Sequence, residues 1–205
     1  MKIKICGVRS VRDAELVREA GAELAGLNFV PRSRRYLRAS EAPAVRRALG
    51  AVEAVGVFMD EELDVMLAAA DALELRWVQL HGREPLATVR RVSRRCAVIR
   101  AVIASELADT DMTALAPWVS AFLLDGASPG SGTPVLHPTD LRASLCGRPF
   151  FVAGGLRPDN VADAVRRTHP DGVDVATGVT AGGSIDAVLL GSFVERARAA
   201  LVEVA

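Results

Sequence analysis

FFVAGGLRPDNVADAVRRTHPDGVDVATGV, residues Phe150–Val179, contains two apolar strand ends that each run into glycine. In the first, Phe150–Ala153 meets Gly154-Gly155, and Arg157-Pro158-Asp159-Asn160 opens a run with Val161, Ala164 and Val165 at helical spacing. In the second, Gly172–Ala176 meets Thr177-Gly178, then Ala181-Gly182-Gly183-Ser184 and another amphipathic run. Glycine lets backbone N–H groups approach an anion closely, and the N-terminus of a following helix adds partial positive charge. Both turns therefore read as phosphate cradles, the arrangement found after strands seven and eight of a (β/α)8 barrel. That assignment requires six strand–helix units upstream.

Six are present. Ile3–Cys6 is a short strand ended by Gly7, and Ser10 caps a helix that stops at Gly21. Leu24–Val30 is followed by the basic loop Arg32-Ser33-Arg34-Arg35-Tyr36 and a helix over about Ser40–Leu49. Glu53–Met59 precedes a helix over Glu61–Ala72, and Arg76–His81, closed by Gly82, precedes one over Pro85–Arg94. Cys96–Ile103 is the fifth strand, with a weaker helix around Asp111–Ala116. Ala121–Asp125 is the sixth, followed by the glycine-rich loop Gly126–Pro134 and a helix near Thr139–Leu145. Eight repeats of roughly 25 residues, with no composition break, predict one α/β domain over residues 1–205, a TIM barrel of near-minimal size. A doubly wound open sheet would carry a GxGxxG fingerprint in its first turn, where this chain reads CGVRS.

Composition narrows the function. The chain has 205 residues, 50% of them hydrophobic, enough for one sizeable core. Its formal net charge is +0, and the arginines scatter over helix faces without a basic stripe, so neither nucleic acid nor an anionic membrane is indicated as a partner. MKIKICGVRS reads as a strand rather than a signal peptide, and no apolar run approaches the roughly 18 residues that span a bilayer, so the expected location is cytoplasmic. Three cysteines without metal-ligand spacing predict neither a disulfide framework nor a metal site.

Chemistry in such a barrel sits at the C-terminal ends of the strands. The candidates there are Cys6, the pair Arg34 and Arg35, His81 and Asp125. Each also has a plainer reading. Cys6 can be a small core residue, or a base if its surroundings lower its pKa. Asp125 can be a turn carboxylate, or a proton donor if burial raises its pKa. His81 can satisfy a backbone carbonyl or touch substrate. The arginines can be solvated, or one can offer its guanidinium fork to a carboxylate.

Taken together, KICGVRSVRDAELVREAGAELAGLNFVPRSRRYL, VGVFMDEELD, VQLHGREP, LLDG, FFVAGGLRPDNV and VDVATGV resemble the phosphoribosylanthranilate isomerases of tryptophan biosynthesis, in order and over nearly the whole chain. The resemblance implies an Amadori rearrangement of an aldosylamine to a 1-amino-1-deoxyketose with no metal or organic cofactor. It implies Asp125 as the acid that opens the ribose ring, Cys6 as the base that takes the C2 proton, and Arg35 as the holder of the anthranilate carboxylate. His81 joins the substrate contacts. Gly154, Gly155, Thr177 and Gly178 would take the sugar phosphate, with Gly182 and Gly183 beside them. The partner is then a phosphorylated small molecule bearing an anthranilate group, and the assembly a monomer or homodimer.

Two loops depart from the family pattern. After strand six the usual GG[ST]GxxFxW block becomes SPGSGTPVLHP, which keeps Gly130-Ser131-Gly132 and loses the aromatic pair. After strand eight the usual SSGVE becomes Ala176-Thr177-Gly178-Val179-Thr180. These changes leave two other functions open. One is an isomerase of a different phosphoribosylamine in specialised metabolism, and the other a barrel that binds a phosphorylated ligand without turnover.

Overall fold

Short apolar strands pair here in strict chain order, each parallel to the one before. They are β1 (Lys2–Cys6), β2 (Leu24–Asn28), β3 (Glu53–Phe58), β4 (Trp77–Leu80), β5 (Ala97–Ile103), β6 (Ala121–Asp125), β7 (Phe150–Val152) and β8 (Gly172–Val175). β8 pairs back onto β1, with Lys4 opposite Asp174, and closes the barrel. The structure is a computed structural model and describes residues 1–126 and 138–202. The expected loop glycines Gly130 and Gly132 after β6 lie outside the described residues, where only Gly126 of that turn is seen.

Helices cross between successive strands, as parallel pairing demands. They are α1 (Val11–Glu19), α2 (Ala42–Ala48), α3 (Leu63–Ala72), α4 (Leu86–Ser93), α5 (Met112–Leu115), α6 (Pro138–Ser144), α7 (Val161–Thr168) and α8 (Ala187–Val202). Ser10 caps α1, its hydroxyl accepting from the Asp13 N–H at 3.0 Å. The helix expected around Asp111–Ala116 shrinks to the four residues of α5 between two 3-10 turns, because Pro117 follows and breaks it.

Alternation along the strands divides the apolar residues into two layers. Ile3, Ile5, Leu27, Leu80, Phe122 and Val173 face the helices. Leu24, Val55, Ile99, Leu123 and Phe151 fill the barrel interior. Lys4, Gln79 and Asp174 are polar residues buried within the strands. They lie near the mouth, directly beneath the candidate site.

Candidate active site

At the C-terminal mouth a cavity of about 490 Å³ gathers Cys6, Arg35, His81, Asp125, Gly154, Gly155, Thr177 and Gly178, eight of the ten residues singled out in the sequence. They come from the ends of six strands, β1, β2, β4, β6, β7 and β8, or from the loops after them, so closing the barrel brings together residues up to 172 positions apart. Gly182 and Gly183 are the exceptions and do not line the cavity. They form the tight turn of a hairpin between β9 (Thr180–Ala181) and β10 (Ser184–Ile185), both with positive φ, and the Gly183 carbonyl accepts from Arg9. A Gly-Gly turn suits a two-residue hairpin as well as it suits an anion loop, and here the flanking strands pair.

The glycines after β7 and β8 do form one wall. Gly154 has φ +85°, and a Cβ there would run into the Gly126 backbone and the Asp125 carboxylate, so the β7 turn can lie against the acid only as glycine. Asn160 fixes the rest of that turn: its Oδ1 accepts from the Arg157 N–H at 2.7 Å and its Nδ2 donates to the Gly155 carbonyl at 3.0 Å. Across from it, Thr177 accepts a hydrogen bond from Arg35 Nη2 at 2.5 Å. Arg35 thus reaches over Gly7 to the turn after β8, whereas Arg34 is exposed and is not among the described residues that line the cavity. A further guanidinium, Arg32, also lines the cavity and donates to Met59 Sδ at 2.7 Å.

Three buried polar residues lie beside Cys6, His81 and Asp125. Lys4 Nζ is fully buried, 2.8 Å from Asp174 Oδ1 and on the same inward row as Cys6. These are the only two strand positions in the chain where lysine replaces arginine as a cation, Lys2 and Lys4, and a compact ammonium fits where a guanidinium would not. Gly26, opposite Cys6, leaves the room, since a Cβ there would come within 2.9 Å of Cys6 Sγ and 3.3 Å of Lys4 Nζ. On β4, Gln79 Nε2 meets His81 Nδ1 at 2.7 Å, and His81 Nε2 lies 3.4 Å from Asp125 Oδ2. Lys4, Gln79 and Asp174 escaped the sequence reading. Their signal was a polar side chain at an alternating position of an otherwise apolar strand, in KIKIC, WVQL and GVDV.

The electrostatics follow from these contacts. Burial pushes the Cys6 thiol above its usual 9.0, against the pull of Lys4 and Arg35. Burial opposes the Lys4 ammonium, but Asp174 and the Cys6 sulfur outweigh it and hold Lys4 above its ordinary value. Asp174 is pushed up by burial and pulled back by Lys4. Direct contact at 2.8 Å makes this a charged pair at neutral pH. Asp125 moves the other way: the hydrogen bond from His81 holds its carboxyl below the usual carboxylate value despite partial burial.

A closed (β/α)8 barrel with a glycine-walled cavity and a carboxylate and a thiol at its mouth has the build of a barrel enzyme that works at the C-terminal ends of its strands. The family model for N-(5'phosphoribosyl)anthranilate (PRA) isomerase matches residues 3–196, and the chain belongs to that family. An N-(5'-phosphoribosyl)anthranilate isomerase of Myxococcus xanthus is 40% identical over 97% of this chain and 96% of its own. The phosphoribosyl anthranilate isomerase of Thermotoga maritima superposes with a TM-score of 0.84 at 33% identity, covering 97% of this chain and 99% of that one. Another such isomerase, solved in complex with reduced 1-(o-carboxyphenylamino)-1-deoxyribulose 5-phosphate, gives 0.83 at 30% identity over 97% and 99% of the two chains. Among the described residues no helix is long and apolar enough to cross a membrane.

Proposed function

We infer that this chain is an N-(5'-phosphoribosyl)anthranilate isomerase, converting its substrate to 1-(o-carboxyphenylamino)-1-deoxyribulose 5-phosphate by general acid–base catalysis. The observation that carries this reading is the meeting of Cys6 and Asp125 in one cavity whose far wall is the Gly154-Gly155 and Thr177-Gly178 turns. With phosphate against those turns, the ribose extends toward the strand ends. Asp125 then delivers a proton to the ring oxygen, the C1–O bond breaks toward that oxygen, and the amine lone pair closes a Schiff base. Cys6 removes the C2 proton, and the resulting enolamine becomes the ketone by gaining a proton at C1 and losing one from the C2 hydroxyl. Protons balance over the cycle, so the residues alone can carry it. Arg35 retains free donors after its bond to Thr177 and is the anchor for the anthranilate carboxylate, with Arg32 a second guanidinium lining the cavity.

The test is turnover of freshly prepared N-(5'-phosphoribosyl)anthranilate, followed by loss of its fluorescence, in wild type and Asp125→Asn. Turnover that collapses in the variant supports the reaction and its acid together. A folded wild type without turnover directs attention to another phosphoribosylamine or to a ligand-binding barrel.

A further inference from the structure

An acid must hold a proton before it can give one, yet the hydrogen bond from His81 favours the Asp125 carboxylate. The cavity floor contains a device that resolves this conflict. Gln79 is 1% exposed, lines the cavity, and lies between the apolar Val57 and Ile99 in the sheet. Among the described residues its Oε1 is buried without a hydrogen-bond partner, while its Nε2 sits on His81 Nδ1 at 2.7 Å. A stranded amide oxygen is costly, and leucine would pack between those neighbours without it. An amide nevertheless does what leucine cannot: turned by 180°, it presents an acceptor instead of a donor to the same ring nitrogen.

We propose that Gln79 is a positioning residue that switches His81 between two protonation states, so that His81 and Asp125 together hold the proton that opens the ribose ring. The proposal rests on the isomerase reading given above. In one state the Gln79 amide N–H donates to a bare Nδ1, and His81 Nε2–H donates to the Asp125 carboxylate. In the other, Gln79 Oε1 accepts from Nδ1–H, and one additional proton is shared between His81 Nε2 and Asp125 Oδ2. Ring opening draws on the second state. The shared proton forms the new O–H bond on the ring oxygen and leaves Asp125 as carboxylate. Gln79 Oε1 keeps the remaining imidazole proton on Nδ1, so the bare Nε2 and the Asp125 carboxylate face each other, ready to take up the next proton. The proton lost from the C2 hydroxyl as the ketone forms reloads the pair.

The charges around this pair suit the shared proton. Asp174 faces His81 and Asp125 from β8, and Cys6 stands on β1. Arg100 on β5 is occupied by Glu84, and Asp60 and Arg32 stand at the rim of the adjoining cavity. The separation of 3.4 Å between His81 and Asp125 leaves room for the pair to tighten when substrate excludes water.

Gln79→Leu is the deciding variant, read in three ways on the full chain. Nitrogen NMR of labelled histidine, assigned with His81→Gln, reports which ring nitrogen is protonated. Steady-state kinetics separate kcat from KM across pH, and thermal unfolding reports stability. The expected result is a folded variant with unchanged or higher Tm, a shifted Nδ1/Nε2 protonation pattern at His81, an altered pH profile, and kcat lower by at least about 10-fold at nearly constant KM, a share of the 10²–10⁴-fold typical of general acid–base groups. An unchanged His81 pattern, or kcat within about twofold of wild type, would overturn the proposal. A lowered Tm with an unchanged pH profile would mean that Gln79 is only structural. The NMR readout needs no turnover, so it separates failure of the switch from failure of the isomerase assignment.

Discussion

Cys6 shows how far one side chain depends on its surroundings. Its base form is the thiolate, and burial disfavours that form, so less of it exists at neutral pH than for a free thiol. The sign follows from both groups: raising pH adds thiolate but removes the proton that opens the ring, so kcat/KM should begin to fall only above 9.0, where Cys6 ionisation is complete and loss of the acid's proton is no longer offset. A fall that sets in below pH 8 would mean that another group is the base. Cys6→Ser, a still weaker acid at the same place, should cost at least about 10²-fold in kcat with phosphate binding intact. The two neighbouring arginines separate in the same way. Arg35→Ala should raise KM because Arg35 lines the cavity beside Thr177, while Arg34→Ala should leave KM close to wild type because, among the described residues, only its backbone carbonyl is engaged, by Arg9. Equal effects of the two would undo this distinction. Cys6 and Asp125 stood out in the sequence as polar groups at strand ends, whereas Arg35, in the loop after β2, was separated from Arg34 only by the family resemblance. That Arg35 reaches Thr177, 142 positions away, was not legible there, since only barrel closure creates that contact.

At the scale of elements, β1 and β8 form the seam that closes the barrel, and the Lys4–Asp174 pair lies inside it. Removing one partner strands a buried charge. Lys4→Met should therefore destabilise the fold by about 3–5 kcal/mol, whereas Lys4→Met with Asp174→Leu should recover most of that loss, as buried ion pairs exchanged for apolar groups do. Urea midpoints for the two variants and wild type decide it, and a double variant no better than the single one would show that the pair is not an isolated unit. Activity need not follow stability here. Without the Lys4 cation, Cys6 ionises at still higher pH, so the stable double variant should turn over more slowly at neutral pH than wild type. The strands themselves were readable to within one or two residues from apolar runs ending in glycine or a polar residue. Gly182-Gly183 was misread because positive φ serves a hairpin turn and an anion loop equally, and the pairing of Thr180 with Ile185 decides between them.

For the whole molecule, closure makes the first and last elements mutually dependent. β1 needs β8 as its second neighbour, while α8 packs on α7 and buries Leu190, Phe193, Val194 and Ala197 against the outer core. Because α8 covers the helix that follows β7 and the turn that follows β8, a defect in α8 should be felt in the barrel interior. Phe193 is fully buried, and Phe193→Ala should cost about 3–5 kcal/mol through lost burial and the cavity left behind. In a domain of this size each kcal/mol lowers Tm by about 2–4 °C, so a fall of roughly 6–20 °C is expected. The chain provides two local reporters for the spread of that effect: Trp77 inside the barrel beneath Lys2, and Trp118 outside it beside Arg90. Variants keeping one tryptophan at a time, each with and without Phe193→Ala, should unfold in urea at coincident midpoints by fluorescence and far-UV circular dichroism. If the Trp77 transition stayed at its wild-type midpoint while the Trp118 transition moved, α8 would be an appendage, and the closed ring would not act as one cooperative unit.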